Sequence, residues 1–178
     1  MWLKSIFIFF LFWFFAILQN SFFVHFSLFG AAPNLVFVLF FLILFFEKRN
    51  SYFQIIFCAI LAGLFLDFFS YTYLGTSIVL LLIIGFLAKS VQSSLQEKRN
   101  DKFPFIYFLS LFFVSIIIYK SLLAVMINKF NLTQFILIPN LAIGADVVYN
   151  LLIASIAFYL YKKFLALAFD DRQLRLIK

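Results

Sequence analysis

This sequence is poor in charge. Asp, Glu, Lys and Arg make up 12% of its 178 residues, against about a quarter in a soluble domain. Cysteine occurs once, as Cys58, which excludes an intrachain disulfide and leaves the redox compartment unmarked. Histidine also occurs once. His25 sits among aromatics with no Cys or His at ligand spacing, so it reads as an interfacial side chain rather than a metal ligand. There is no paired-carboxylate motif of the kind that holds metal ions at a membrane surface. A Ser/His/Asp set and a Gly-rich phosphate loop are missing as well. The sequence therefore points to no enzyme and to no cofactor.

What the chain has instead is apolar surface. Two thirds of it is hydrophobic and 31 residues are phenylalanine. A chain of this size leaves roughly a third of its unfolded surface exposed, so the surplus cannot be hidden in a water-soluble core. It requires lipid. The expected fold is an all-α membrane protein, a single transmembrane domain of about six helices.

The expected spans are 2–20, 31–47, 52–69, 73–89, 104–126 and 140–162, with a basic tail over 163–178. Lys4 ahead of the first apolar run resembles a signal peptide, but apolar sequence resumes after Gln19-Asn20-Ser21 without a small-x-small cleavage site. The run reads as an uncleaved helix. Pro33 and Pro104 suit helix starts, where the amide that proline lacks would be unpaired anyway. The second apolar stretch, Pro33 to Phe46, is short for a hydrocarbon core about 30 Å thick. Lys89 to Lys102 is the most polar stretch and is assigned to water.

Six spans put both termini on one side. That side collects Lys4, Lys48, Arg49, Lys89, Lys98, Arg99, Lys102, Lys162, Lys163, Arg172, Arg175 and Lys178; the other keeps Lys120 and Lys129. The positive-inside rule places both termini in the cytoplasm. Topology thus accounts for the net charge of +7, and nucleic acid is not expected as a partner. The tail is expected to lie on anionic lipid or to touch a cytoplasmic partner.

Ionisable groups inside a membrane are costly and usually face the bundle interior. Asp67, Lys120 and Asp146 fall toward the outer ends of their spans, where an Asp–Lys pair would relieve the desolvation of both. Ala59, Gly63 and Asp67 recur every four residues on one helix face, as do Ala142, Asp146, Asn150 and Ala154. Small residues on these stripes permit close helix approach. Gly75 and Gly85 offer further close contacts. The expected polar, helix-packing or partner-binding cluster is Pro33, Asn34, Gly63, Asp67, Gly75, Lys120, Asp146 and Asn150. Ala-Pro-Asn-Leu at 32–35 is echoed by Ile-Pro-Asn-Leu at 138–141.

Between Gln19 and Ala88 the order is Gln19, Pro33-Asn34-Leu35, Gly63-Leu-Phe-Leu-Asp67, Leu74-Gly75 and Gly85. This resembles MreD, the rod shape-determining membrane protein family of bacteria. Members typically carry Gln near the end of span one, Pro-Asp-Leu opening span two, Gly-x-x-x-Asp in span three and Leu-Gly shortly after. Pro33, Gly63, Asp67, Leu74 and Gly75 match; Asn34 stands where the family has aspartate. The resemblance implies a non-catalytic scaffold of the cell-elongation and peptidoglycan-synthesis machinery, multi-pass in the bacterial cytoplasmic membrane. It implies binding to a bitopic MreC-like partner. Indirect links would run to the MreB filament and to a pair formed by a SEDS glycosyltransferase and a penicillin-binding protein. The competing reading is the substrate-binding S component of an energy-coupling-factor vitamin transporter. The outer polar cluster would suit that reading, but span one lacks the Ala-x-x-x-Ala pattern used for docking.

Overall fold

The computed structural model describes residues 2–27, 32–46, 52–70, 73–96, 104–130 and 141–173. The second copy of the Pro-Asn-Leu echo and the far end of the basic tail lie outside these residues. The described residues form six α-helices: α1 (Trp2–Ser21), α2 (Leu35–Phe46), α3 (Tyr52–Phe69), α4 (Thr76–Gln96), α5 (Pro104–Phe130) and α6 (Leu141–Gln173). A short 3₁₀ turn, Phe23–Phe26, follows α1. Helices are the expected outcome for such sequence in lipid, because a helix satisfies its backbone amides within one segment.

Four helices are long and apolar enough to cross a membrane: Tyr52–Phe69, Thr76–Ser93, Phe105–Met126 and Gly144–Lys163. Between 22% and 44% of those windows is buried within the protein. The apolar remainder, including Phe53 and Phe68, faces outward. In water that surface would be a large liability; in a bilayer it is the ordinary exterior.

The twelve-residue α2 is the axis of the bundle. Every residue from Leu35 to Phe45 is buried. Helices α1, α3, α4 and α6 pack directly on it, and neighbouring contacts run α1 to α3, α3 to α4, α4 to α5 and α5 to α6. Helix α5 reaches α2 through aromatic rings. Phe37, Phe41 and Phe45, four residues apart on one face of α2, meet Tyr119, Phe112 and Phe108 at centroid distances of 5.0, 5.3 and 5.1 Å. Such offset and edge contacts are favourable beyond simple burial, and they hold the two backbones farther apart than small residues would.

At about 1.5 Å per residue, α2 is only about 18 Å long, well short of the bilayer core. Its ends therefore lie where water does not freely solvate them, and side chains cap them instead. At the C-terminal end, Gln92 Nε2 donates to Phe45 O (2.9 Å) and Lys89 Nζ to Leu44 O (3.4 Å). Both side chains come from α4 and both are buried. Lys89, assigned by sequence to an aqueous stretch, is thus inside α4 and against a helix C-terminus, where a cation is favourable. The polar run misleads because α4 extends past its apolar part to Gln96.

Candidate functional site: a polar recess at the capped helix starts

Helices α1, α3 and α5 end, and α2, α4 and α6 begin, at the same end of the bundle. Polar side chains gather there because two of the helix starts, α2 and α4, are enclosed. The first amides of a helix have no intrahelical acceptor, and an unpaired one in an apolar setting is expensive.

The start of α2 is capped from three sides. Asn34 is the N-cap, its Oδ1 accepting from Phe37 N at 2.9 Å, as Asn at this position commonly does. Gln19 at the end of α1 accepts from Val36 N through Oε1 at 3.2 Å. The amide of Asn34 itself donates to Asn150 Oδ1 of α6 at 2.7 Å. Pro33 is buried just ahead of the cap. Asn34, the position at which the resembled pattern has aspartate, serves as the cap through its neutral amide oxygen.

Asn150 is fully buried, and its Nδ2 donates to Asp146 O (2.8 Å) and Asp146 Oδ1 (2.9 Å). The other carboxylate oxygen of Asp146 pairs with Lys120 Nζ of α5 at 2.6 Å. A continuous polar chain thus runs from Lys120 through Asp146 and Asn150 to the start of α2.

The start of α4 is capped by Asp67 of α3. Its Oδ2 accepts from Gly75 N at 2.6 Å and its Oδ1 from Ser77 N at 3.0 Å. Two glycines permit this. A Cβ on Gly63 would lie 2.6 Å from the backbone of Ile78, so only glycine lets α4 approach α3 so closely there. Gly75 has φ +98°, a conformation L side chains rarely adopt, and it reverses the chain into α4. The Gly63–Asp67–Gly75 spacing is thus one device: contact, cap and turn. Gly85 makes a second close approach, to Ile55 and Phe40.

The expected cluster of Asp67, Lys120 and Asp146 is accordingly divided between two duties. Lys120 and Asp146 form the pair, while Asp67 caps α4. Ser77 and Tyr119 link the two halves through a hydroxyl contact of 3.3 Å, since Tyr119 is next to Lys120 on α5. Among the described residues, the Asp67 and Asp146 stripes do not pack α3 closely against α6. Helix α3 packs on α1, α2 and α4, and helix α6 on α2 and α5, so Asp67 and Ala59 on the one and Asp146, Asn150 and Ala154 on the other face inward from different sides.

Sequence reasoning did not select Ser77, Tyr119, Lys89 or Gln92. Lys89 and Gln92 carried a signal, polar residues three apart on one helix face; Ser77 and Tyr119 carried none. Gln19 appeared in the polar triplet after the first apolar run and in the family pattern, with no capping role attached.

Between these groups lies a recess of about 170 Å³, lined by residues that include Gln19, Asn20, Asn34, Ser77, Tyr119 and Lys120, with Val36, Phe65 and Leu66 among its apolar walls.

The family model of the rod shape-determining protein MreD matches residues 2–171. No curated protein and no solved structure matches the chain. Of the family pattern quoted from the sequence, Gln19 and Asn34 cap the start of α2, Asp67 and Gly75 form the start of α4, and Gly63 is the close contact of α3 with α4. With that agreement and a match over nearly the whole chain, this helical membrane protein belongs to the MreD family of rod shape-determining proteins.

Proposed function

We propose that the protein is a non-catalytic scaffold of the cell-elongation machinery, multi-pass in the bacterial cytoplasmic membrane with both termini in the cytoplasm. In this reading it binds a bitopic MreC-like partner. Through that partner it connects to the MreB filament and to the SEDS and penicillin-binding protein pair. The residues Pro33, Asn34, Gly63, Asp67, Gly75, Lys120, Asp146 and Asn150 hold the bundle in the shape the partner recognises.

The observation that carries the reading is the use made of the buried polar groups. Asp67, Asn34, Asn150 and Gln19 cap helix starts, and Asp146 joins α5 to α6 through Lys120. Such an arrangement supports a fixed shape presented to a partner. The family match supports the process it serves.

The test is replacement of the resident family member in a rod-shaped bacterium by this chain together with its own bitopic partner. Rods should be restored, and the partner should copurify with the tagged full-length protein. Spherical cells despite normal insertion of both chains, with no copurification, would overturn the proposal.

A further inference from the structure

The recess at the capped helix starts carries more hydrogen-bond donors than the protein itself uses. Lys120 Nζ has three N–H donors, and its recorded partner is Asp146 Oδ2. Its side chain is 35% exposed, so the ammonium remains reachable. Gln19 uses its carbonyl oxygen on Val36 N, which leaves the two N–H donors of the same amide. Ser77 and Tyr119 are 1% and 3% exposed. They share a single hydroxyl contact, and one of their two hydroxyl hydrogens is then left for an acceptor in the recess.

Asn20 and Ser70 also line the recess and can accept, but the charged acceptors lie elsewhere. The carboxylates of Asp67 and Asp146 are not among the lining residues, and both are already engaged by donors behind the wall. Among the described residues, Lys120 is the one formally charged residue in the lining, and its ammonium is paired on its far side with Asp146. The start of α2 opens on the same side and is capped by neutral groups, so its positive end adds to the potential there, whereas that of α4 is met by the Asp67 carboxylate. At about 170 Å³ the space far exceeds the roughly 10–15 Å³ that a single water needs.

We propose that this recess binds an anionic, acceptor-rich group of phosphate size, held by the Lys120 ammonium, the Gln19 amide and the Ser77–Tyr119 hydroxyl pair. The group is a lipid phosphate entering from the bilayer or a free phosphate ion entering from water. The proposal goes beyond the scaffold reading and stands whether or not that reading does.

The experiment uses the full chain in a phosphorus-free detergent such as dodecyl maltoside. Inorganic phosphate and short-chain phosphatidic acid are titrated separately, and ³¹P line broadening reads binding. Both probes should broaden in a saturable way if the site accepts the phosphate itself. Broadening of phosphatidic acid alone assigns the lipid source, and of inorganic phosphate alone the free ion. Q19E keeps an oxygen acceptor for Val36 N while removing the two donors and adding a negative charge. It should weaken binding about tenfold or more. The double variant S77A/Y119F removes both hydroxyls and with them the spare hydrogen, and should weaken binding about fivefold. Saturable binding of neither probe to the wild-type chain, or unchanged binding in both folded variants, would overturn the proposal.

Discussion

Gly63 and Asp67 are one turn apart on α3 and serve the same contact. The glycine lets the backbone of α4 come close, and the carboxylate then receives the amides of Gly75 and Ser77. Gly63→Ala should force the helices apart and cost about 1–3 kcal/mol, as overpacking generally does. A fall in the melting temperature of the detergent-solubilised protein checks this; an unchanged value would show that the close approach is dispensable. Asp67→Leu should leave two enclosed amides unpaired, at about 1–3 kcal/mol each. Asp67→Asn keeps an acceptor oxygen and should be milder in both stability and support of rod shape. Equal tolerance of the two substitutions would refute the capping role. Lys120 and Asp146 are best tested as a pair. Lys120→Met leaves a carboxylate without its cation, whereas combining it with Asp146→Asn removes both charges. The double variant should be more stable than the sum of the single effects predicts, by about 0.5–3 kcal/mol in a double-mutant cycle.

Among the elements, α2 is unusual because it is buried along almost its whole length yet too short to cross a bilayer alone. Its stability depends on neighbours that finish its hydrogen bonding: Gln19 of α1 and Asn150 of α6 at the start, Lys89 and Gln92 of α4 at the end. Asn150→Leu should therefore destabilise the protein more than Leu152→Ala on the outward face of the same helix, where the side chain is 59% exposed. The expected cost for Asn150→Leu is about 1–3 kcal/mol for each polar group it strands. Thermal unfolding in detergent compares the two variants directly. Similar losses would mean that α6 is held to α2 by apolar packing alone.

For the whole molecule, the distribution of basic residues leads to a clear expectation. A green fluorescent protein fused after Lys178 should fluoresce, and alkaline phosphatase at the same place should be inactive. Phosphatase inserted near residue 135 should be active. The reverse pattern would invert the topology and place the phosphate-sized recess on the cytoplasmic side. The bundle itself was legible from composition, because no other arrangement disposes of so many apolar side chains. The candidate site was legible in part. Asp67, Lys120, Asp146 and Asn150 stand out as polar residues in apolar runs, and the structure brings Lys120, Asp146 and Asn150 together. That Asp67 caps α4 could not be read, since its partners are backbone amides, which look alike in every sequence.

Sequence alone determined that this chain lives in lipid, that it is helical and that it belongs to its family, because burial in a bilayer depends on side-chain polarity summed over long runs. Tertiary structure decided which helix occupies the centre and what each polar group does there. A short apolar helix is indistinguishable in sequence from a truncated span until neighbouring side chains are seen closing its two ends. The recess has the same origin: its donors come from α1, α4 and α5, and only their convergence makes a site.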